Sequence, residues 1–223
     1  AFRKVSFTTP RRRVFGAAFA LSSVLTPFAI GTVAGGIASG RVPRGDAVGN
    51  RVTSWLNPTS IMGGTLAVST CAYLAAVFLA GDARRFGEGE LRVYFTRRAV
   101  GAAAATGFIA LAGIFVLHAD ARRLFDRLSH RALPIVIASA LCGLAALVLL
   151  VRTRALRSAQ VLAVGAVAAV VGAWGVAQYP DLLPGYLTVD QAASSSTVLT
   201  WVVAVAAVAG GVLFLLHPFP PPQ

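Results

Sequence analysis

The sequence predicts an all-α fold, a polytopic membrane helix bundle of six transmembrane helices with both termini in the cytoplasm. Two observations carry this prediction. Hydrophobic residues make up 57% of the 223 residues and charged residues only 13%, against about 25% in typical soluble domains. All eight acidic residues and 19 of the 20 basic ones lie outside, or at the rim of, six long apolar stretches. The marginal case is Arg98, which opens the third stretch.

Each apolar stretch is close to the ~20 residues that a helix needs to cross about 30 Å of hydrocarbon. Six unbroken runs of this length would leave the helices of a soluble protein without polar faces. The strands of a membrane barrel would alternate in hydrophobicity, and these runs do not. We treat residues 1–223 as one transmembrane domain. Its predicted spans are Val14–Ser39, Thr59–Ala80, Ala99–Leu117, Ala132–Val151, Ala159–Gln178 and Thr197–Leu216.

The first span is rich in glycine and is predicted to pack closely against another helix. Gly31 and Gly35 lie one turn apart on one face, with the spacing that allows two helix backbones to approach each other in a membrane. The other spans also carry glycines, which favours packing over formation of a pore. The partner of the first span is expected in this chain or in another subunit.

Basic residues predict the orientation of the bundle. Six spans place both termini on one side, and that side carries thirteen lysines and arginines against seven on the other. The positive-inside rule therefore puts both termini in the cytoplasm. Arg98 would start the third span on that side, where it can extend to phosphate headgroups or pair with an acidic neighbour.

Aromatic residues agree with this orientation. Trp55, Trp174 and Trp201 all fall at or near span ends that face the outer side, which predicts an aromatic belt at one interface. The outer loop between the fifth and sixth spans has two prolines and no basic residue. Within it, Asp190 is predicted to cap a short interfacial turn or the last helix.

The residues offer no catalytic or metal-binding set. No carboxylate, lysine or histidine lies near the centre of a span, where an ionisable group would indicate a functional site. Cys71 and Cys142 lack the spacing of a metal site or a redox motif. The net charge of +12 is explained by loop arginines, and no basic amphipathic helix predicts binding to nucleic acid. We therefore expect a partner to carry the chemistry.

Several blocks, in order, resemble subunit II of cytochrome bd-type quinol oxidases. The most telling lies in the last outer loop, where Tyr179-Pro180 and Leu183-Pro184 precede Leu187–Ser194 and a tryptophan-bearing helix. The others are Ala1-Phe2-Arg3 followed by the glycine-rich stretch Ser22–Gly40, then Ser54–Pro58 with Gly63-Gly64, and Arg97-Arg98-Ala99. The resemblance covers nearly the whole chain and corresponds to the later two-thirds of the family pattern. It implies that the first helices of the family pattern either precede Ala1 in a longer chain or belong to another polypeptide.

This resemblance implies a function in the respiratory chain of a bacterial inner membrane. The chain would be a haem-free structural subunit of a quinol:oxygen oxidoreductase, and haem b, haem d and quinol oxidation would belong to subunit I. Small accessory subunits, lipids and a structural quinone are the other partners that the resemblance implies. The histidines agree, because His118, His130 and His217 lie at helix ends or in loops.

A small permease or exporter is the alternative prediction. Six spans and glycine-rich helices are common in such proteins, which also need a polar site at mid-membrane and usually broken helices. Only Pro27, with Thr26 and Thr32, hints at such a break.

Overall fold

The structure, a computed structural model, describes residues 9–42, 50, 52–152 and 156–216. These residues are mostly helical, as predicted, with one short β-hairpin. The helices are α1 (Thr9–Ala38), α2 (Pro58–Arg85), α3 (Gly89–Asp120), α4 (Arg122–His130), α5 (Leu133–Arg152), α6 (Leu156–Gln178), α7 (Val189–Ala192) and α8 (Ser196–Leu216). The strands are β1 (Asp181–Leu183) and β2 (Leu187–Thr188).

Five helices are long and apolar enough to cross a membrane. They are α1 from Arg13, α2, α3, α5 and α6 from Arg157. In α8, the apolar part whose side chains are described runs over Ser196–Ala209 and is shorter. The chain is therefore a multi-pass membrane protein, and the sixth span and the cytoplasmic location of the termini remain predictions.

Two helices differ from the sequence-based expectation, and the β1–β2 hairpin was not expected in an all-α fold. Helix α3 begins at Gly89, ten residues before the predicted span, because hydropathy detects only the part of a helix that lies in the bilayer. The predicted loop after the third span contains α4, whose charges hide it from a hydropathy criterion. Leu124 and Leu128, four residues apart on α4, pack onto a cluster of small residues, so this helix is held by one apolar face.

Helix α2 lies at the centre of the bundle. It packs against α1, α3 and α6, while α5 pairs with α6 and also contacts α3. Helix α8 makes at most marginal contact with the other described elements.

Alanines dominate the two buried clusters, since small side chains let membrane helices approach each other. One cluster contains Tyr73, Val77 and Leu150 with five alanines around them, one in α2 and four in α3, α5 and α6. The other joins Ala38 and Leu124 to alanines near the ends of α3, α5 and α6.

The two ends of the bundle differ. One end is here named the hairpin rim. It contains the C-terminal ends of α1, α3 and α6, the N-terminal ends of α2 and α5, and the β1–β2 hairpin. The other end, the arginine rim, carries Arg84, Arg85, Arg97 and Arg98. The positive-inside prediction places the hairpin rim outside the cell and the arginine rim in the cytoplasm.

Candidate functional site

The Asp120 carboxylate lies at the hairpin rim and binds groups from two other parts of the chain. Its side chain is only 10% exposed. Oδ2 accepts hydrogen bonds from the backbone N–H of Thr59 at 3.1 Å and from the Thr59 hydroxyl at 2.6 Å, while Oδ1 pairs with the Arg41 guanidinium. The N–H of Thr59, second residue of α2, has no partner within its own helix, so the last residue of α3 satisfies the start of α2.

A second set of hydrogen bonds extends this network to α1. The Asn57 side chain caps α2, because its Oδ1 accepts from the backbone N–H of Ser60 at 2.9 Å. Its Nδ2 donates to the Ser39 hydroxyl and to the Ser54 carbonyl, both at 3.3 Å. Asn57 is buried, so this cap is shielded from water. Asp120 and Asn57 together join the ends of α1, α2 and α3.

The hairpin is held to the same rim by an ion pair. Arg127 Nη1 of α4 lies 2.8 Å from Asp181 Oδ2 of β1, and both side chains are largely buried. The same nitrogen donates to the backbone carbonyl of Gln178 at 3.3 Å. Gly185 turns the hairpin with a φ of +81°, and a side chain added there would approach Arg123. Helix α4 therefore supports the loop in which the resemblance to a known family is strongest.

Gly31 and Gly35 face α2 of the same chain. A Cβ at Gly31 would collide with the carbonyl oxygen of Gly63, and a Cβ at Gly35 would lie 2.5 Å from the carbonyl oxygen of Thr59. The approach is mutual, since a Cβ at Gly63 would lie 2.5 Å from the Gly31 carbonyl oxygen. The α1–α2 crossing thus brings two backbones into contact, with no room for any side chain between them.

The three tryptophans lie at the hairpin rim. Trp55 packs its ring edge beside Gly36, and Trp174 packs onto the alanine cluster at this end. Trp201, in the second turn of α8, is 68% exposed. Their common end agrees with the belt pattern, and their role as an interfacial belt stays a prediction.

Asp190 and Arg98 lie at opposite rims. Asp190 is exposed in the first turn of α7, and the cap of that helix is formed by Thr188, whose hydroxyl accepts from Gln191 N while Gln191 Oε1 accepts from Thr188 N. Helix α8 begins only at Ser196. The carboxylate therefore lies in the short helix α7 and not at the start of the last helix. Arg98 is stacked over the Tyr94 ring, with Cζ 4.3 Å from the ring centroid.

Sequence reasoning missed the Asp120 network. The signal was present, because a carboxylate follows the third apolar stretch on the side of the membrane where Asn57-Pro58-Thr59 leads into the second. That juxtaposition would have predicted a shared rim, although not the individual hydrogen bonds.

The histidines and the methionine in the described chain are engaged in local packing. His118 lies edge-on to Phe125 with ring centroids 4.8 Å apart, and His130 Nδ1 lies 2.7 Å from the Asp126 carbonyl oxygen. Met62 packs beside Gly113 between α2 and α3. Within the described residues, no group of three or more His, Cys, Asp or Glu could hold a metal ion. His217 and the Phe2-Arg3 motif lie outside them.

Comparison with known proteins gives one family. The family model for cytochrome bd terminal oxidase subunit II matches residues 1–217 of the chain. No curated protein matches the sequence. The matched range includes the Asp120 network, the α1–α2 glycine contact and the hairpin.

Proposed function

Because the chain belongs to the family of cytochrome bd terminal oxidase subunit II, we propose that it is the haem-free structural subunit of a bd-type quinol:oxygen oxidoreductase. In this role it scaffolds the haem-bearing subunit I, which carries haem b and haem d and catalyses quinol oxidation and oxygen reduction. The observation that carries the proposal is the family match over residues 1–217.

The architecture supports a scaffolding role. The polar side chains at the hairpin rim bind the ends of helices to one another, and the glycine contact fixes α1 on α2. Beyond these contacts α1 and α8 present broad apolar surfaces, with Phe19 71% and Val203 67% exposed. Such helices suit an intramembrane partner as well as lipid. We propose that subunit I covers part of this surface.

The proposal assigns no haem to this chain. Haem iron is commonly held by an axial His or Met ligand, and the described histidines and the methionine serve other contacts. His118 packs against Phe125, His130 is bonded to its own helix, and Met62 fills the space beside Gly113. A structural quinone or lipid and small accessory subunits remain part of the proposed complex.

We propose the six-span topology with cytoplasmic termini as part of this function. Helix α8 has 21 residues, which extend about 31 Å at ~1.5 Å per residue and match a hydrocarbon core of ~30 Å. The excess of arginine on the side of the arginine rim supports its cytoplasmic location.

A permease would usually need a broken helix, and α1, where the sequence suggested a break, is continuous. Helix α1 continues through Pro27 from Thr9 to Ala38. The Thr32 hydroxyl donates to the Ala29 carbonyl of the same helix at 2.8 Å. A substrate site between broken helices is therefore not supported in this span.

Absorbance of the purified complex tests the proposal. The complex is isolated through an affinity tag on this chain, and we expect haem b and haem d bands together with quinol oxidase turnover. Replacing His118, His130 and His217 together by Ala should leave the haem bands unchanged. A preparation without haem bands would contradict the oxidase assignment, whereas loss of one band in the triple variant would show that this chain ligates a haem.

A further inference from the structure

We propose that the arginine rim carries a binding site for the phosphate group of an anionic phospholipid, formed by Arg97, Arg98 and Tyr94 on the first turns of α3. These residues surround a wide-open depression of about 710 Å³ on the surface of α3, here called the cavity, together with Gly89, Glu90 and Val93. The proposal does not depend on the oxidase function.

The stacking of Arg98 on Tyr94 orients the guanidinium group for binding an anion. The guanidinium carbon lies 4.3 Å from the ring centroid, and Tyr94 itself is held edge-to-face by Phe95 at 5.2 Å. Stacking on an aromatic face fixes the plane of the guanidinium while its N–H groups remain free to bind in that plane. The planar fork of donors matches two oxygens of a phosphate.

The positive charge at the cavity exceeds the negative charge there. The ion pairs among residues 9–42, 50, 52–152 and 156–216 involve Arg41, Arg85 and Arg127, and neither Arg97 nor Arg98 takes part. Two arginines and the single carboxylate of Glu90 leave the cavity with an excess of one positive charge. An anion is the ligand that this excess favours.

The position of Arg98 along α3 favours a lipid headgroup as the ligand. From Arg98 to Asp120 there are 22 residues, or about 33 Å of helix, which matches a hydrocarbon thickness of ~30 Å. When Asp120 lies at one boundary of the bilayer, Arg98 lies at the other, at the depth of the phosphates. Anionic lipids of the cytoplasmic leaflet attract basic residues at this level, and tyrosine favours the same interface.

The face of α3 below the cavity can accommodate an acyl chain. Arg97, Gly101, Ala104 and Phe108 follow one another at intervals of four, three and four residues, so they lie on one face, and all are exposed. A Cβ added at Gly101 would meet nothing within 4 Å. A shallow track of small residues therefore leads from the cationic cavity to the Phe108 ring.

Native mass spectrometry of the purified complex in detergent, after incubation with phosphatidylglycerol, tests the site. In R97Q/R98Q we expect the occupancy of retained phosphatidylglycerol to fall by about ten-fold, since two charge-assisted contacts are lost. The control R84Q/R85Q removes two arginines from the same rim and should retain the lipid as the wild type does. Y94L should weaken retention and Y94F should not, because only the former removes the ring.

Three outcomes would overturn the proposal. Equal lipid retention in R97Q/R98Q and the wild type would show that the arginines do not bind the headgroup. Full displacement of the lipid by millimolar inorganic phosphate would assign the site to a soluble phosphate. Loss of a polypeptide from R97Q/R98Q, with lipid retention unchanged, would show that this face of α3 binds a protein partner.

Discussion

Asp120, the last residue of α3, accepts two hydrogen bonds from Thr59, the second residue of α2. One comes from the backbone N–H at 3.1 Å and the other from the hydroxyl at 2.6 Å. The two residues are 61 positions apart. The carboxylate of one helix thereby accepts a hydrogen bond from a backbone N–H at the N-terminus of its neighbour, which has no acceptor within its own helix. The helix dipole also favours negative charge at this position.

Replacing Asp120 by Asn should destabilise the bundle while conserving its shape. The amide can still accept from Thr59 but loses the charge that pairs with Arg41, so we expect a loss of about 1–3 kcal/mol. Thermal unfolding of the purified complex would report it as a lower Tm. Asp126, exposed on α4 and in none of the described ion pairs, supplies the control Asp126→Asn, which should leave the Tm unchanged. An equal decrease in Tm in both variants would show that the hydrogen bonds and the ion pair of Asp120 do not stabilise the bundle.

Gly35→Leu should be far more disruptive than Gly16→Leu on the same helix. A Cβ at Gly35 lies 2.5 Å from the Thr59 carbonyl oxygen, whereas a Cβ at Gly16 meets nothing within 4 Å. Both changes alter helix propensity equally, so a difference in yield between the two variants reports on the α1–α2 contact. Overpacking of this contact should cost about 1–3 kcal/mol or more. The measurement is the yield of assembled complex. Comparable yields would show that α1 can move away from α2 without loss.

Accessibility labelling should distinguish the two rims. In a chain with Cys71 and Cys142 replaced by serine, Leu56→Cys reports on the hairpin rim and Phe86→Cys on the arginine rim. Both positions are exposed, at 64% and 82%. The proposed orientation predicts that a membrane-impermeant thiol reagent labels intact cells only at position 56. Labelling at position 86 alone would invert the topology.

Asp190→Asn should keep most of the quinol oxidase turnover. The cap of α7 is made by Thr188 and Gln191, so loss of the Asp190 charge removes only a favourable dipole interaction of about 0.3–1 kcal/mol. Thr188→Ala removes the cap itself, at about 1 kcal/mol, and should lower the stability more. A variant at Asp190 with normal haem content and no turnover would place this carboxylate in a proton or quinol path.

The sequence by itself determined the class of the protein and the order of the five helices that are long and apolar enough to cross a membrane. Hydrocarbon leaves no alternative to helices for such stretches, so Pro58–Arg85 and Leu133–Arg152 could be anticipated to within a few residues. The glycine spacing of Gly31 and Gly35 likewise predicted a close helix contact, and the loop around Tyr179–Ser194 carried the family resemblance.

Only the tertiary structure decided which groups meet. The pairings of Asp120 with Thr59 and of Arg127 with Asp181 join residues far apart in the chain, and no local pattern encodes them. Hydropathy did not predict helix α4, because this helix is rich in charged residues. It is held by one apolar face that packs on alanines from other parts of the bundle. The cavity of Arg97, Arg98 and Tyr94 depends in the same way on side-chain stacking. Hydropathy is a property of each segment, whereas these contacts depend on how the segments pack.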